Sequence, residues 1–449
     1  MYLSITENKE ERLYKFNAKA PVYCLFFAAG QYPRGAMICP LIRANRFPTL
    51  SKRQNICGLI ASPPFASTCI SVDFKRTQGE STCDRPRGGE NAYTAPIMDK
   101  LDFTFIHAPA TYDFRERSIM YGPVSDMVPS TPIFEMYPLG LTTLCEYFER
   151  NGFRARIYNL ASMMLHKKNF DVEKNLARLE SRMFGIDLHW MPHCHGSIEV
   201  AKILKRLHPH VLISFGGLSS SIFHEDLIAY DCIDYVFRGD STEEPMRMLV
   251  ERVVRAQKTG TPVGDLSDIP NLTWKDETGR VHINPLSWVP DDMNAISMDY
   301  DYPMKGVLRQ LDFTSYLPMK GWLQYPVTAS LTCRGCARNC ATCGGSAYAF
   351  KNHFGRRKVA WRDPKLLIRD IEHVQNHVWG PIFVLNDFLQ AGPAYTEQFI
   401  CGLKGKVQNP IGFEFFGPPP GGNDFYNMLD ANLKSWSVEI SAESHDDDV

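Results

Sequence analysis

Strand-like apolar segments alternate with helix-like amphipathic segments along most of this chain, beginning at residue 101. The alternation predicts parallel βαβ units with right-handed crossovers, because each helix carries the chain back to the start of the next strand. Five strands of the first series are predicted at residues 102–107, 154–161, 183–190, 210–217 and within 226–249. A chain with this pattern folds as a doubly wound α/β domain, which binds ligands at the carboxyl ends of its strands.

A second βα series follows a connector that is rich in proline and aspartate. The connector contains a hairpin-like segment with its turn at Glu277 to Gly279. Strands of the second series are predicted at residues 324–332, 380–387, 411–418 and 435–444. We therefore divide the chain into a first α/β domain at 98–258, a linker with a hairpin at 259–323 and a second α/β domain at 324–449.

The first 97 residues differ in composition from the rest and show no sustained helical or strand periodicity. They carry a formal net charge of +6, whereas the remainder carries −7. We interpret 1–97 as an extension of unclear structure, with Met98 as a natural start; a basic interaction arm is the alternative. The whole chain has a net charge of −1 and lacks an apolar run of the ~18 residues that a spanning helix needs. The balanced charge gives no evidence for a nucleic-acid partner, although local charged patches remain possible. We expect no membrane partner and a cytoplasmic location.

Four of the thirteen cysteines lie within eleven residues, directly after the first strand of the second series. These are Cys333, Cys336, Cys340 and Cys343. The last three have the spacing C-x-x-x-C-x-x-C, and three such thiolates can hold three irons of a cubane iron–sulfur cluster and leave the fourth iron open. The alternatives are inert buried cysteines and a zinc site, although zinc-binding cysteine pairs are usually separated by about a dozen residues or more.

The cysteine loop resembles a known family. Its motif reads Arg334-Gly335-Cys336, then Asn339-Cys340, then Cys343-Gly344-Gly345. This pattern after a strand is similar to that of the radical S-adenosylmethionine (SAM) superfamily, most of all to members with an N-terminal cobalamin-binding domain. The resemblance implies that Cys336, Cys340 and Cys343 bind a [4Fe-4S] cluster whose open iron binds SAM. By the same resemblance, Cys333 is not a ligand.

In that superfamily the reduced cluster cleaves SAM to methionine and a 5′-deoxyadenosyl radical, which abstracts a hydrogen from the substrate. The resemblance implies a reductant such as flavodoxin or ferredoxin. It implies that Gly344 and Gly345 lie near the methionyl group of SAM. It also implies that the strand near the ribose carries Glu439, Ser441, Glu443 and Ser444. Asn386 and Asp387 end a neighbouring strand and are candidates for further polar contacts.

Residues 101–255 resemble the cobalamin-binding domain of such enzymes. The candidate cobalamin contacts are Pro138, Gly140, Gly216, Gly217 and Gly239. Glycines at strand ends let a bulky corrin approach the backbone, and any doubly wound fold also requires them. The D-x-H-x-x-G motif that supplies an axial histidine in some cobalamin enzymes does not follow the first strand. We therefore expect no imidazole ligand to cobalt from His107 or His189, and we interpret the histidine-rich stretch 189–195 as a ligand-edge loop rather than a metal site.

The resemblance thus implies an α/β architecture in which a Rossmann-like, doubly wound cobalamin-binding domain precedes a partial radical SAM (β/α) barrel. Six barrel units take about 190 residues, and only 126 remain from Gln324, so we expect a truncated barrel. The implied function is a cobalamin-dependent radical SAM enzyme, performing methyl transfer or related radical chemistry on an unknown substrate. The alternatives are a radical SAM enzyme without cobalamin and a non-catalytic metal-binding fragment. No catalytic residue is assigned.

Replacing Cys336, Cys340 or Cys343 singly by alanine should abolish cluster binding, because a loop that lacks one thiolate cannot hold three irons. Cys333→Ala should retain most of the iron. Iron and sulfide content after anaerobic reconstitution measures both effects. If Cys333→Ala loses iron as completely as Cys340→Ala does, the loop is a four-cysteine structural site instead.

Overall fold

The computed structural model describes residues 100–440, apart from 117–136 and the single residues 168, 299, 320 and 342. The predictions for 1–97, and those for Ser441, Glu443 and Ser444, lie outside this part of the chain. The described residues belong to one unit that contains a seven-stranded, a two-stranded and a four-stranded sheet. None of the described helices combines the length and apolar character needed to cross a membrane.

Seven strands form the first sheet. They are β1 (Leu101–His107), β2 (Ala155–Asn159), β3 (Ser181–Asp187), β4 (Leu212–Gly216), β5 (Tyr235–Phe237), β6 (Leu272–Lys275) and β7 (Val281–Ile283). Their order is β2-β1-β3-β4-β5-β6-β7, and the first five pair in parallel. The order 2-1-3-4-5 is that of a flavodoxin-like doubly wound sheet, whose ligand edge lies at the β1/β3 switch point. All five predicted strands of this domain are confirmed.

Helices cover both faces of the first sheet. They are α1 (Leu139–Arg150), α2 (Leu160–His166), α3 (Val172–Leu176), α4 (Cys194–Leu207), α5 (Leu218–Ile222), α6 (His224–Ile228) and α7 (Glu243–Thr259). Phe103 and Phe105 of β1 belong to the core shared with α1 and α7, and Ile106 belongs to the core shared with α4. Successive side chains of a strand point to opposite faces, so strands covered on both sides are apolar throughout.

Two strands from the connector extend this sheet. β6 pairs antiparallel with β5, and β7 pairs antiparallel with β6. The carboxylate of Asp276 accepts hydrogen bonds from the backbone N–H groups of Thr278 and Arg280, at 2.9 and 3.1 Å, and so closes the turn between them. The hairpin that the sequence places in the linker 259–323 therefore packs as part of the first sheet. The described remainder of the connector includes the helix α8 (Asp301–Gln310) and a 3-10 turn at Thr314–Tyr316.

The second α/β series follows the connector. Its strands are β8 (Thr328–Leu331), β9 (Cys333–Arg334), β10 (Ala360–Trp361), β11 (Ile382–Leu385), β12 (Ile411–Phe415) and β13 (Trp436–Ile440). Its helices are α9 (Ala347–His353), α10 (Pro364–Val374), α11 (Pro393–Gly402) and α12 (Asn423–Asn432). β8, β11, β12 and β13 form a parallel sheet in the order β13-β12-β11-β8, while β9 and β10 form a separate antiparallel pair.

The second sheet is covered by helices on one face. Ile382, Val384 and Phe413 are completely buried in a core that also includes Leu367 and Ile371 of α10. The alternate residues of the same strands point to the opposite face, and Phe383, Leu385 and Glu414 among them are less buried. The four strands form an open sheet, and the residues that the structure describes contain no closed barrel.

A buried ion pair ties the connector to α10. Arg362 and Asp370 are both 0% exposed, and their side chains lie 2.5 Å apart. Nη1 of Arg362 also donates to the backbone carbonyls of Met293 and Ile296, at 2.7 and 2.6 Å. Burial raises the pKa of Asp370 above its ordinary value, although the guanidinium opposes that rise. The charge of the buried Asp370 carboxylate is therefore stabilised by the guanidinium of Arg362.

Arg362→Met should destabilise the chain by about 3–5 kcal/mol, because it leaves Asp370 buried without its guanidinium partner. The matched control is Arg206→Met, which removes an ion pair with Glu173 whose side chains are 57% and 51% exposed. Little change is expected there, because water screens exposed ion pairs. Urea unfolding followed by circular dichroism compares the two variants, and equal losses would refute the role given to the buried pair.

Candidate functional site

The cysteine loop lies between β9 and α9, beyond the carboxyl end of β8. β9 pairs with β10 through Cys333 and Trp361, and through Arg334 and Ala360. This short ribbon fixes both ends of the segment that carries the loop. The loop therefore lies at the edge where parallel α/β sheets bind their ligands.

The three predicted ligand cysteines differ in exposure. Cys343 is exposed, and Cys336 and Cys340 are partly buried. The backbone N–H of Arg338 donates to Sγ of Cys336 at 3.3 Å, and that of Gly345 donates to Sγ of Cys343 at 3.4 Å. Hydrogen bonds of this kind stabilise thiolates and tune iron–sulfur clusters. Two of the three sulfurs therefore already have an amide donor.

The described residues contain no group of three His, Cys, Asp or Glu side chains that could together hold one metal ion. A cubane cluster takes one thiolate per iron, so its ligand sulfurs stand apart around the cluster and do not converge on a single atom. This loop carries three thiols, none of them fully buried, and two backbone amides donate to them. The chemistry of the loop therefore fits a cubane cluster.

Cys333 lies in a different environment from the other three cysteines. It is 4% exposed, and burial raises the pKa of its thiol to about 12. Its Sγ lies 3.8 Å from the carbonyl oxygen of Gly335, and its own carbonyl accepts from Nδ2 of Asn386 at 2.9 Å. Burial therefore favours the neutral thiol at this position, and the thiolate is the form that binds metal.

Polar residues at the end of β11 border the cysteine loop. The carboxylate of Asp387 accepts from the backbone N–H groups of Leu389 and Phe416, at 3.1 and 3.3 Å. Burial raises the pKa of Asp387 above its ordinary value, although these amides oppose the rise. The side-chain oxygen of Gln390 accepts from the backbone N–H of Ala337 at 3.3 Å. The structure thus brings the ends of β11 and β12 together with the loop, as the prediction for Asn386 and Asp387 requires.

Two carboxylates lie side by side on the open face of the second sheet. The register pairs Glu414 of β12 with Glu439 of β13. Burial raises the pKa of Glu439, and the negative charge of Glu414 raises it further. Glu439 is among the residues predicted from the sequence, and Glu414 is not. The signal for Glu414 is a single charged residue inside an otherwise apolar strand.

The two glycines predicted to approach SAM have different surroundings. A side chain at Gly344 would meet no atom within 4 Å, whereas one at Gly345 would lie 3.8 Å from Sγ of Cys343 and from the ring of Phe350. Gly345 therefore packs directly beside a predicted ligand, and Gly344 borders open space. A contact of either residue with SAM stays a prediction.

A buried histidine–aspartate pair lies at the ligand edge of the first sheet. Nδ1 of His107, at the end of β1, lies 2.9 and 3.1 Å from the two carboxylate oxygens of Asp187, at the end of β3. The His107 ring also contacts that of His193, with centroids 5.0 Å apart. Burial lowers the pKa of the neighbouring His189. The pair is not predictable from the sequence, because nothing there links two residues that are 80 positions apart.

The glycines predicted to contact cobalamin fall into two groups. Side chains at Gly140 and Gly216 would meet no atom within 4 Å. Gly217 and Gly239 instead adopt φ values of +116° and +100°, which L side chains rarely adopt. A Cβ on Gly217 would lie 2.7 Å from the backbone of Leu188, so the chain itself requires glycine there. Gly216 and Gly140 are thus the positions where a ligand has room to approach. Pro138 precedes them as the N-cap of α1.

Ion pairs join the segments on either side of the cysteine loop to the first sheet. Arg334 donates from Nη1 and Nη2 to the carboxylate of Glu243, at 3.0 and 2.5 Å. Arg356 donates to the carboxylate of Asp240 from Nε and Nη2. Ser241 accepts from both guanidinium groups, at 3.0 and 3.2 Å. The segment 240–243 follows β5, so both arginines bind beside the ligand edge of the first sheet.

A protein-family profile matches part of the chain. Residues 130–248 match the family profile of the B12 binding domain. Among curated protein sequences, none matches this chain significantly. The profile match runs from α1 into the start of α7, and it confirms the resemblance of the first domain to cobalamin-binding domains.

Two solved structures share the fold across most of the described chain. Both are of TsrM from Kitasatospora setae, a radical S-adenosylmethionine methyltransferase, one with cobalamin and a [4Fe-4S] cluster bound and the other with tryptophan and a SAM analog. Each gives a TM-score of 0.50 at 15% identity and covers 75% of this chain. The chain spans 60% and 58% of these structures, respectively. The resemblance to radical SAM proteins with a B12-binding domain is therefore confirmed in the fold.

Gly217→Ala should destabilise the chain by about 1–3 kcal/mol, because the new side chain meets the Leu188 backbone and strains a positive φ. Gly216→Ala is the matched control and should change stability little, because its side chain would enter open space. Thermal unfolding of both variants measures the difference. Equal midpoints would show that the backbone near Gly217 adapts to a side chain.

Proposed function

We propose that this chain is the cobalamin-binding and cluster-binding part of a radical SAM enzyme that transfers a methyl group or performs related radical chemistry. One observation carries the proposal: a loop with three suitably spaced cysteines lies at the carboxyl edge of a parallel sheet and is ion-paired to a B12-binding-like domain. Neither element alone would support it, because doubly wound domains and cysteine loops each occur in many functional classes.

The cluster would be held by Cys336, Cys340 and Cys343. Their loop is accessible, and two of the sulfurs accept backbone hydrogen bonds. Burial raises the pKa of the Cys336 thiol above its ordinary value, and the backbone N–H and the charge of Arg338 oppose that rise. Cobalamin would lie across the ligand edge of the first sheet, where Gly140 and Gly216 leave room. When bound, these groups and SAM supply reductive SAM cleavage to a 5′-deoxyadenosyl radical and a methyl carrier.

The protein residues bind and orient these groups and exclude water. Gly344, Gly345 and Glu439 are proposed to contact SAM. Glu414 of β12 lies beside Glu439 of β13 and adds a second carboxylate to the open face of the sheet. Pro138, Gly217 and Gly239 are proposed to shape the cobalamin edge. Trp190 and Met191 follow β3 and are 40% and 46% exposed, which gives that edge an apolar surface suited to a corrin.

The second sheet is proposed to be the first part of a radical SAM (β/α) barrel. Its four parallel strands in sequential order, with helices on one face, are the arrangement that opens such a barrel. Because the chain spans 60% of TsrM, the activity, the substrate and a reductant such as flavodoxin or ferredoxin are proposals for the whole enzyme. We also propose a cytoplasmic location, where thiols stay reduced.

The expected result for protein purified anaerobically is about four irons and four sulfides per chain, together with bound cobalt after addition of cobalamin. Cys343→Ala should lose the iron. The matched control Cys401→Ala, which alters another exposed cysteine, should keep it. Elemental analysis and a 5′-deoxyadenosine assay with SAM and dithionite give the readouts.

Each alternative predicts a different result in the same experiment. Iron without cobalt would favour a radical SAM enzyme in which the first domain binds a substrate or partner instead. Zinc in place of iron would show a non-catalytic metal-binding protein and would overturn the proposal.

A further inference from the structure

The cysteine loop is held by the first domain through two buried ion pairs. Glu243, in the first turn of α7, is 5% exposed and accepts from Arg334 and from the Thr143 hydroxyl of α1, the latter at 3.1 Å. A buried carboxylate with this many donors has few alternative positions. The carboxylate that binds Arg334 is therefore held from α1, through Thr143, and lies at the start of α7.

Arg334 lies directly before the turn that leads to Cys336. Gly335, between them, has a φ of +97°, and a Cβ there would lie 2.9 Å from Cδ of Arg356. Arg356 thus packs on the turn itself while its guanidinium binds Asp240 and Ser241. Any displacement of the two guanidinium groups must move the backbone on which Cys336 is placed.

We propose that Glu243 is a positioning residue for the cysteine loop, which through Arg334 sets the position of Cys336 and the charge around the cluster. The inference rests on the proposed function, since it assumes that the loop binds a cluster. It adds a link between the two domains: the carboxylate stands beside the proposed cobalamin edge, and its guanidinium partner stands two residues from a proposed iron ligand. The cluster is thereby coupled to the domain that binds the second cofactor.

The isosteric variant Glu243→Gln tests this link, because it keeps the side-chain shape and removes the charge. Arg334 then carries an uncompensated positive charge near the cluster, which favours the reduced, more negative cluster. We expect the midpoint potential to shift to a more positive value and chelators to remove iron about 10- to 100-fold faster than from the wild type. Glu243→Asp should recover part of both properties.

The control and a second variant separate positioning from general stability. Glu173→Gln removes a carboxylate from an exposed ion pair in the same domain and should leave the potential and the rate of iron loss unchanged. The double variant Glu243→Gln/Arg334→Gln removes both charges, so its potential should return toward the wild-type value while iron loss stays fast. A folded Glu243→Gln protein with wild-type potential and iron loss would overturn the proposal, as would a double variant that keeps the shifted potential.

Failure of the proposed function would appear differently, as a wild-type chain that binds no cluster at all. The positioning role is then tested in the metal-free chain by hydrogen exchange at the amides of 335–341. Glu243→Gln should speed exchange there and leave α10 unchanged. Unaltered exchange at these amides would overturn the positioning role on its own.

Discussion

Two guanidinium groups with little solvent exposure, one on each side of the cysteine loop, hold this segment against the first sheet. Arg334 and Arg356 each carry a charge into a region with little water, so each depends on its own carboxylate, Glu243 or Asp240. Buried charges cost several kcal/mol when they lose a partner, so the four groups favour a single arrangement of the junction. That arrangement places the ligand edge of the first sheet and the cysteine loop beside one another. Everything proposed about the chemistry of this chain depends on that adjacency.

The secondary structure was largely predictable because it rests on local signals. β1 and β3 are buried on both faces and therefore appear as apolar runs, and α10 carries its apolar residues at helical spacing after an Asp-Pro start. The hairpin was also predicted, yet its attachment to the first sheet was not. Its partner strand β5 has only three residues, and pairing between distant strands leaves no mark on either sequence. The helix α8 was missed inside a segment rich in proline and aspartate.

The candidate site was predictable only where its residues are close in sequence. The cysteine motif is contiguous, so its spacing and its place after a strand carry the resemblance from which an iron–sulfur cluster is predicted. Glu243 and Arg334 are 91 residues apart, and Glu414 acquires its meaning only when the register places it beside Glu439. Gly217 was identified as a ligand contact because glycines at strand ends suit both a ligand and the fold. A Cβ on Gly217 would lie too close to the Leu188 backbone, which shows that the fold itself requires glycine at this position.

The chain order of the junction has a consequence for biosynthesis. Glu243 and Asp240 precede their arginine partners by 91 and 116 residues. Since a ribosome adds about 5–20 residues per second, the carboxylates leave the exit tunnel about 5–20 seconds before the guanidinium groups reach them. The first sheet has by then received all of its parallel strands. The carboxylates that anchor the cysteine loop are therefore outside the ribosome before the loop itself is made, and the loop can join the first sheet as it emerges.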